Sequence, residues 1–206
     1  NLHTKQIEQA WKDWMKIEDQ ILRGQALRAL IHRAVKVEEF NFLLKLETEL
    51  NSINTYWRSW QDEVELIYAY LYLRLDQIEK SKTFLESSRK YSLKGDDTQS
   101  SIVNEESLFL SAVIELVSSN YQRAFMLIKQ LLESYPDSDQ LSNYYFWYGV
   151  LQYEIEKNSM QTIMAMRQVD TNGNRADDRL FLLAKVNHDQ QNWAAVNLFI
   201  LNLKKL

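Results

Sequence analysis

Apolar residues recur at intervals of three and four along nearly the whole chain. Ile7, Trp11, Trp14, Ile17 and Ile21 share one helical face, and Leu108, Ala112 and Leu116 share another. Helix-forming residues fill the segments between, and strict apolar–polar alternation is nowhere sustained, so the pattern predicts an all-α protein. Residues 1–22 read as one amphipathic helix carrying Trp11 and Trp14. Residues 90–104, with Ser92, Gly95, Asp96, Asp97, Ser100 and Ser101, form the longest polar stretch. It reads as a loop inserted between helices rather than a domain boundary, because the helical period resumes after it.

Two stretches share one order and spacing of small, aromatic and aliphatic positions. The first has Leu108 and Ala112, then Asn120, Tyr121, Ala124, Ile128 and Leu131, closing on Tyr135, Pro136, Asp137 and Ser138. The second has Leu180, Leu183 and Ala184, then Asn192, Trp193, Val196, Ile200 and Leu203. This pattern resembles the tetratricopeptide repeat (TPR), a two-helix unit of about 34 residues. Weaker copies carry Leu27, Leu30, Phe40, Leu43 and Leu50; Tyr68, Ala69, Tyr72, Ile78, Ser81, Leu85 and Ser88; and Tyr145, Tyr148, Gly149 and Tyr153, the last with a second helix around residues 160–167. Unit starts near positions 24, 62, 105, 142 and 177 give a loose period. The resemblance implies a right-handed α-solenoid of about five TPR-like helical hairpins over residues 24–206, with residues 1–23 as an N-terminal helix that caps the stack or, alternatively, lies in its groove. Small residues such as Ala112, Ala124, Gly149 and Ala184 would let paired helices approach closely, while Tyr121 and Trp193 would fill the space at the turns. The turn position where the family commonly has Gly is occupied here by Glu38, Leu75, Ser119, Glu156 and Gln191.

Composition narrows the chemistry. Of 206 residues only four are Gly and one is Pro, against about twenty-five at average usage, which excludes folds of many tight hairpins and glycine-rich nucleotide loops. With 24 basic and 28 acidic residues the formal charge is −4, so nothing attracts nucleic acid in general. The basic group Arg23, Arg28, Arg33 and Lys36 reads as a solvated helix face, diluted by Glu38 and Glu39. The absence of Cys removes disulfides, thiolate metal sites and Cys nucleophiles and leaves the compartment open, cytoplasmic or bacterial periplasmic. The longest apolar run, Leu66 to Leu73, is too short to span a bilayer, so no direct membrane insertion is expected. The chain opens on Asn1 rather than Met, as a processed or excised fragment does.

Catalytic patterns are missing. His3, His32 and His188 match no nucleophile–base arrangement. Asp170, Asn172 and Asn174 resemble the start of a calcium loop, but the sixth position is Arg175 and the twelfth is Phe181. Residues 170–178 therefore read as a turn in which Asp177 or a neighbour caps the next helix. The pairs Glu38 and Glu39, Asp62 and Glu63, and Glu105 and Glu106 read as helix-end acids favoured by the helix dipole. The expectation is no enzyme activity, no cofactor and no metal.

In TPR proteins the first helices of successive units line a concave groove. The resemblance projects Arg28 and His32 onto that groove in the first unit, Leu66, Tyr70 and Leu73 in the second, and Phe109, Val113 and Leu116 in the third. Phe146, Val150 and Tyr153 follow in the fourth, and Phe181, Lys185 and His188 in the fifth. The family's Lys and Asn clamp for the C-terminal carboxylate of heat-shock chaperones falls on positions that are mostly aromatic or aliphatic here, which disfavours that role. The expected function is a non-enzymatic protein–protein interaction scaffold or adaptor, binding a helix or peptide of a partner in an apolar groove, with homo-oligomerisation possible in principle. Two alternatives stay open: the peptide-sensing domain of a larger transcription regulator, and a bacterial envelope assembly factor, suggested by the end of the third unit at Tyr135 to Ser138.

Overall fold

The computed structural model describes residues 2–50, 60–92 and 100–204. Among the described residues the fold is all-α, and none of their helices is long and apolar enough to cross a membrane. The helices are α1 (Leu2–Trp14), α2 (Gln20–Lys36), α3 (Phe40–Leu50), α4 (Gln61–Arg74), α5 (Ile78–Ser92), α6 (Ser100–Val117), α7 (Tyr121–Ser134), α8 (Leu141–Glu156), α9 (Ser159–Arg167), α10 (Ala176–Asp189) and α11 (Trp193–Leu203). The chain forms two compact units, Asn1–Asn104 and Glu105–Leu206. Their division falls at the end of the polar stretch read from sequence as a loop. Residues 93–99 of that stretch lie outside the described residues, while its last part is not loop but the start of α6.

In the first unit α1 packs against α2 and α3. The expected single helix over residues 1–22 is broken: α1 stops at Trp14, and α2 starts afresh with Asp19 as N-cap, its carboxylate accepting the Leu22 N–H at 2.7 Å. The break lets Trp14 turn inward, where its indole N–H donates to the Arg23 carbonyl at 2.8 Å and its ring stacks on Trp11 at 4.7 Å. Ile7 and Trp14 join Leu27, Ile31 and Ala34 of α2, Leu43 and Leu46 of α3, and Val64, Tyr68 and Leu71 of α4 in one core. Between α4 and α5 the spacing is set by serines: Ser81 donates to the Ala69 carbonyl at 2.6 Å and Ser88 to the Asp62 carbonyl at 2.7 Å. A small side chain that also satisfies a buried carbonyl permits close approach without an unpaired polar group.

In the second unit Ala112 of α6 and Ala124 of α7, both fully buried, sit in a core with Ile128, Leu131, Tyr144 and Leu151. A second cluster joins Phe146 and Tyr153 of α8, Ala165 and Met166 of α9, and Leu182, Leu183 and Val186 of α10. Gly149 lets α9 approach α8: a Cβ there would collide with Met166 Cε and lie 3.2 Å from Ala165 Cβ. Helix α10 packs against both α8 and α9, and α11 packs on α10.

The turns joining α2 to α3, α4 to α5, α6 to α7, α8 to α9 and α10 to α11 share one device. Among the described residues the positive-φ positions are Glu38, Asp76, Ser119, Lys157 and Gln191, one in each turn. In four of them the next residue's N–H reaches back five positions: Glu39 to Ala34, Gln77 to Tyr72, Asn120 to Glu115 and Asn192 to Asn187, at 2.8–2.9 Å. These are Schellman closures, in which a left-handed residue lets the last helical carbonyls find donors. At Lys157 the simpler form appears, its N–H bonding the Tyr153 carbonyl at 3.1 Å. The reading of Leu75 and Glu156 as turn positions is corrected by one residue each, to Asp76 and Lys157. Leu75 is half-buried against the core and stays in the helix cap. Residue 177 is likewise not a cap: Arg175 is N-cap of α10, and Asp177 and Asp178 lie in its first turn.

Candidate partner-binding surface

Sequence reasoning placed five groove residues in the first unit. Arg28 and His32, one turn apart on α2, both reach Glu63 at the start of α4: Arg28 NH2 lies 2.7 Å from Glu63 Oε2, and the His32 Nε2–H donates to Glu63 Oε1. The carboxylate thus binds α4 to α2 and uses up both basic groups. Arg23 is also engaged, its guanidinium 4.3 Å above the Trp14 ring. Leu66 is buried and leaves the candidate surface. The cause is that α4 buries Val64, Leu66, Tyr68, Ala69, Leu71 and Tyr72, on more than one face. Tyr70 is 44% exposed and Leu73 half-buried. Beside them Tyr72 donates to Glu47 of α3; burial, then this bond, pushes its hydroxyl up to about 12. Burial also raises the Glu65 carboxyl above its ordinary range.

In the second unit the stripe divides. Phe109, Val113 and Leu116 on α6 are half-buried; Phe109 lies 5.3 Å from the Tyr144 ring, and Phe109 and Leu116 pack on the core. Phe146 and Tyr153 are buried, a second correction, because α8 like α4 is apolar on several faces. The Arg175 guanidinium sits 5.0 Å over Phe146. The Tyr153 hydroxyl donates to Asp189 of α10, while the ammonium groups of Lys157 and Lys185 stand 4.9 and 5.0 Å over its ring. Burial and the Asp189 bond push this hydroxyl up to about 12, and the same bond lowers Asp189. Val150 is half-buried.

Phe181, Lys185 and His188 remain. They occupy one face of α10 at i, i+4 and i+7 and are exposed, Phe181 by 65%. Lys185 is anchored to Glu154 of α8 at 2.8 Å, and its hydrogen bond lowers the Glu154 carboxyl. His188 meets the edge of Trp193 at 5.0 Å. Trp193 was read as turn filler; it is 56% exposed, as Tyr121 is 49%. Trp193 extends the stripe and was missed because an aromatic at a turn reads the same in sequence whether it points inward or outward.

The remaining chemistry is structural. Glu105 is not at a helix end but inside α6, where it accepts the Tyr144 hydroxyl at 2.8 Å and the Ser138 hydroxyl from the turn before α8. Asp170 accepts the Asn172 N–H at 2.9 Å and closes a turn. Among the described residues no three His, Asp or Glu side chains converge as a metal site.

No family model matches the chain, and no curated protein matches it in sequence. The crystal structure of BtubC (BKLC) from P. vanneervenii is similar in fold, with a TM-score of 0.70 over 98% of this chain and 87% of that one, at 14% identity. At that identity the likeness establishes the helical fold alone.

Proposed function

We propose that the chain is a non-enzymatic interaction scaffold whose helix pairs are units of TPR type, and that it holds a helix or extended segment of a protein partner on the faces of its first helices. In the first unit the pairs are α2–α3 and α4–α5, with α1 capping the α2 end. In the second they are α6–α7, α8–α9 and α10–α11. Support comes from the common left-handed turns and from small residues at the close contacts of the paired helices.

One observation carries the binding role: the exposed α10 face of Phe181, Lys185 and His188, continued by Trp193. A phenyl ring left two-thirds in water at the centre of a helix face is an anchor of the kind that dominates recognition, worth about 2 kcal/mol or more on truncation. Lys185, steadied by Glu154, sets a polar rim beside it. The test is affinity purification of the wild-type chain from its source cells, identification of co-purifying proteins, and repetition with Phe181→Ala. Loss of a partner at unchanged melting temperature supports the reading. Full retention of every partner by the variant refutes it.

A further inference from the structure

Helix α11 offers a second surface, distinct from the α10 stripe. Its eleven residues, Trp193–Leu203, include no charged side chain. Val196 is buried and Phe199 packs onto the core, which fixes the inward face. On the opposite face Ala194, Leu198 and Leu201 stand in line at i, i+4 and i+7, all exposed, with Leu198 at 57% and Leu201 at 56%. That spacing is the apolar seam of a helix pair.

We propose that the chain self-associates through this face, α11 packing antiparallel on α11 of a second copy about a two-fold axis. Two features select a second copy, and a third sets the strength of the pairing. A two-fold contact sets the residues at its axis against their own copies, so a charge there would meet its like, and α11 has none. The seam is self-complementary in shape: with Leu198 near the axis, the small Ala194 of each copy falls opposite the large Leu201 of the other, knob against hole. The area sets its strength. Leu198 and Leu201 present roughly 200 Å² of apolar surface at the centre of the seam, well under the ~500 Å² per partner of the smallest specific interfaces. The result is a weak dimer.

The experiment is sedimentation equilibrium of the 206-residue chain across about 5 to 200 μM, the range where a small interface reports. Wild type should move from monomer to dimer over that range. Leu198→Lys and Leu201→Glu should each weaken association by about 30-fold or more, at unchanged melting temperature because both side chains are largely in water. An equimolar mixture of Leu198→Lys and Leu198→Glu chains should recover the dimer, since position 198 then meets its opposite charge. Should Leu198→Lys lower the melting temperature, the milder Leu198→Ser and the mixture decide. A wild type monomeric throughout overturns the proposal and gives the face to a foreign helix or a further segment of the chain. A dimer indifferent to these substitutions overturns it as well.

Discussion

Replacing Ser119 and Gln191 by Gly should stabilise the protein. Both hold φ of 60° at the close of a first helix, where an L-residue crowds its Cβ against the following carbonyl at a cost of about 1–2 kcal/mol. Gly removes that cost, and its greater freedom in the unfolded chain returns about 0.4–1 kcal/mol. The net gain is about 0.5–1 kcal/mol per site, and the sites share no partner, so the two add. These two are chosen because both are exposed and outside the ion pairs found. Glu38 also pairs with Arg74 at 3.1 Å, and Lys157 both pairs with Glu154 and stacks on Tyr153, so Gly there would lose something in exchange. Asp76 gains less, because Asp tolerates the left-handed region. Over a chain of this length the double variant should melt about 3–6 °C higher, followed by circular dichroism or calorimetry. The control is Gln130→Gly, exposed in the middle of α7, which should lose about 1 kcal/mol. If Ser119→Gly and Gln191→Gly destabilise like the control, these residues are not left-handed in solution and the turn argument fails.

Ala124→Asp should cost on the order of 3 kcal/mol or more, measured by urea titration, because it buries an unpaired carboxylate at the fully buried α6–α7 contact; near-normal stability would contradict that packing. Gly149→Val should cost about 2–3 kcal/mol, since its branched side chain must displace the fully buried Met166, and a neutral result would mean α8 and α9 stand further apart. Stability should fall steeply between pH 10 and about 12: burial and carboxylate bonds hold the Tyr72 and Tyr153 hydroxyls protonated up to about 12 when folded, against an ordinary 10.0, so the unfolded chain gives up these protons first and gains as pH rises. Tyr153→Phe should shallow that fall, and an unchanged midpoint through pH 12 would refute the assignment. Phe109→Ala should lower the melting temperature where Phe181→Ala does not, since Phe109 packs on Tyr144 and Phe181 stands in water.

The helical class was legible because threefold and fourfold apolar spacing runs along most of the described chain. The break after Trp14 was not. Ile17 and Ile21 continue the period of α1, and only Asp19, an ordinary-looking acid inside that run, marks the new start. The turns were legible to within one residue, the limit expected when no Gly flags the left-handed position and it must be counted from neighbours. The candidate surface shows where periodicity stops informing. In α4 and α8 apolar residues surround the helix, and any i, i+4, i+7 line drawn through them looks like a face; Leu66, Phe146 and Tyr153 on such lines are buried. In α10 the charges of Asp177, Asp178 and Lys185 mark the wet side, and there the line through Phe181, Lys185 and His188 is exposed. Polar residues, more than apolar ones, told the faces apart.

A chain with four Gly and one Pro reverses direction at each of these turns by spending strain rather than by selecting a strain-free residue, and such strain persists only where the surroundings over-determine it. The polar bonds between neighbouring helices supply that constraint. Tyr72 binds Glu47 between α4 and α3, Tyr144 binds Glu105 between α8 and α6, and Tyr153 binds Asp189 between α8 and α10. Arg28 and His32 on Glu63, and Lys185 on Glu154, extend the same scheme along the helices proposed to face a partner. Each bond fixes how one helix lies on the next and engages a basic or phenolic group across the helix contact. The large side chain left exposed on α10 without such a tie is Phe181, while Trp193 at the start of α11 meets only the His188 ring. The face proposed to bind is rigid on its own, so ordering it on association would cost little. That is why truncating Phe181 is expected to change affinity and leave the fold as it is.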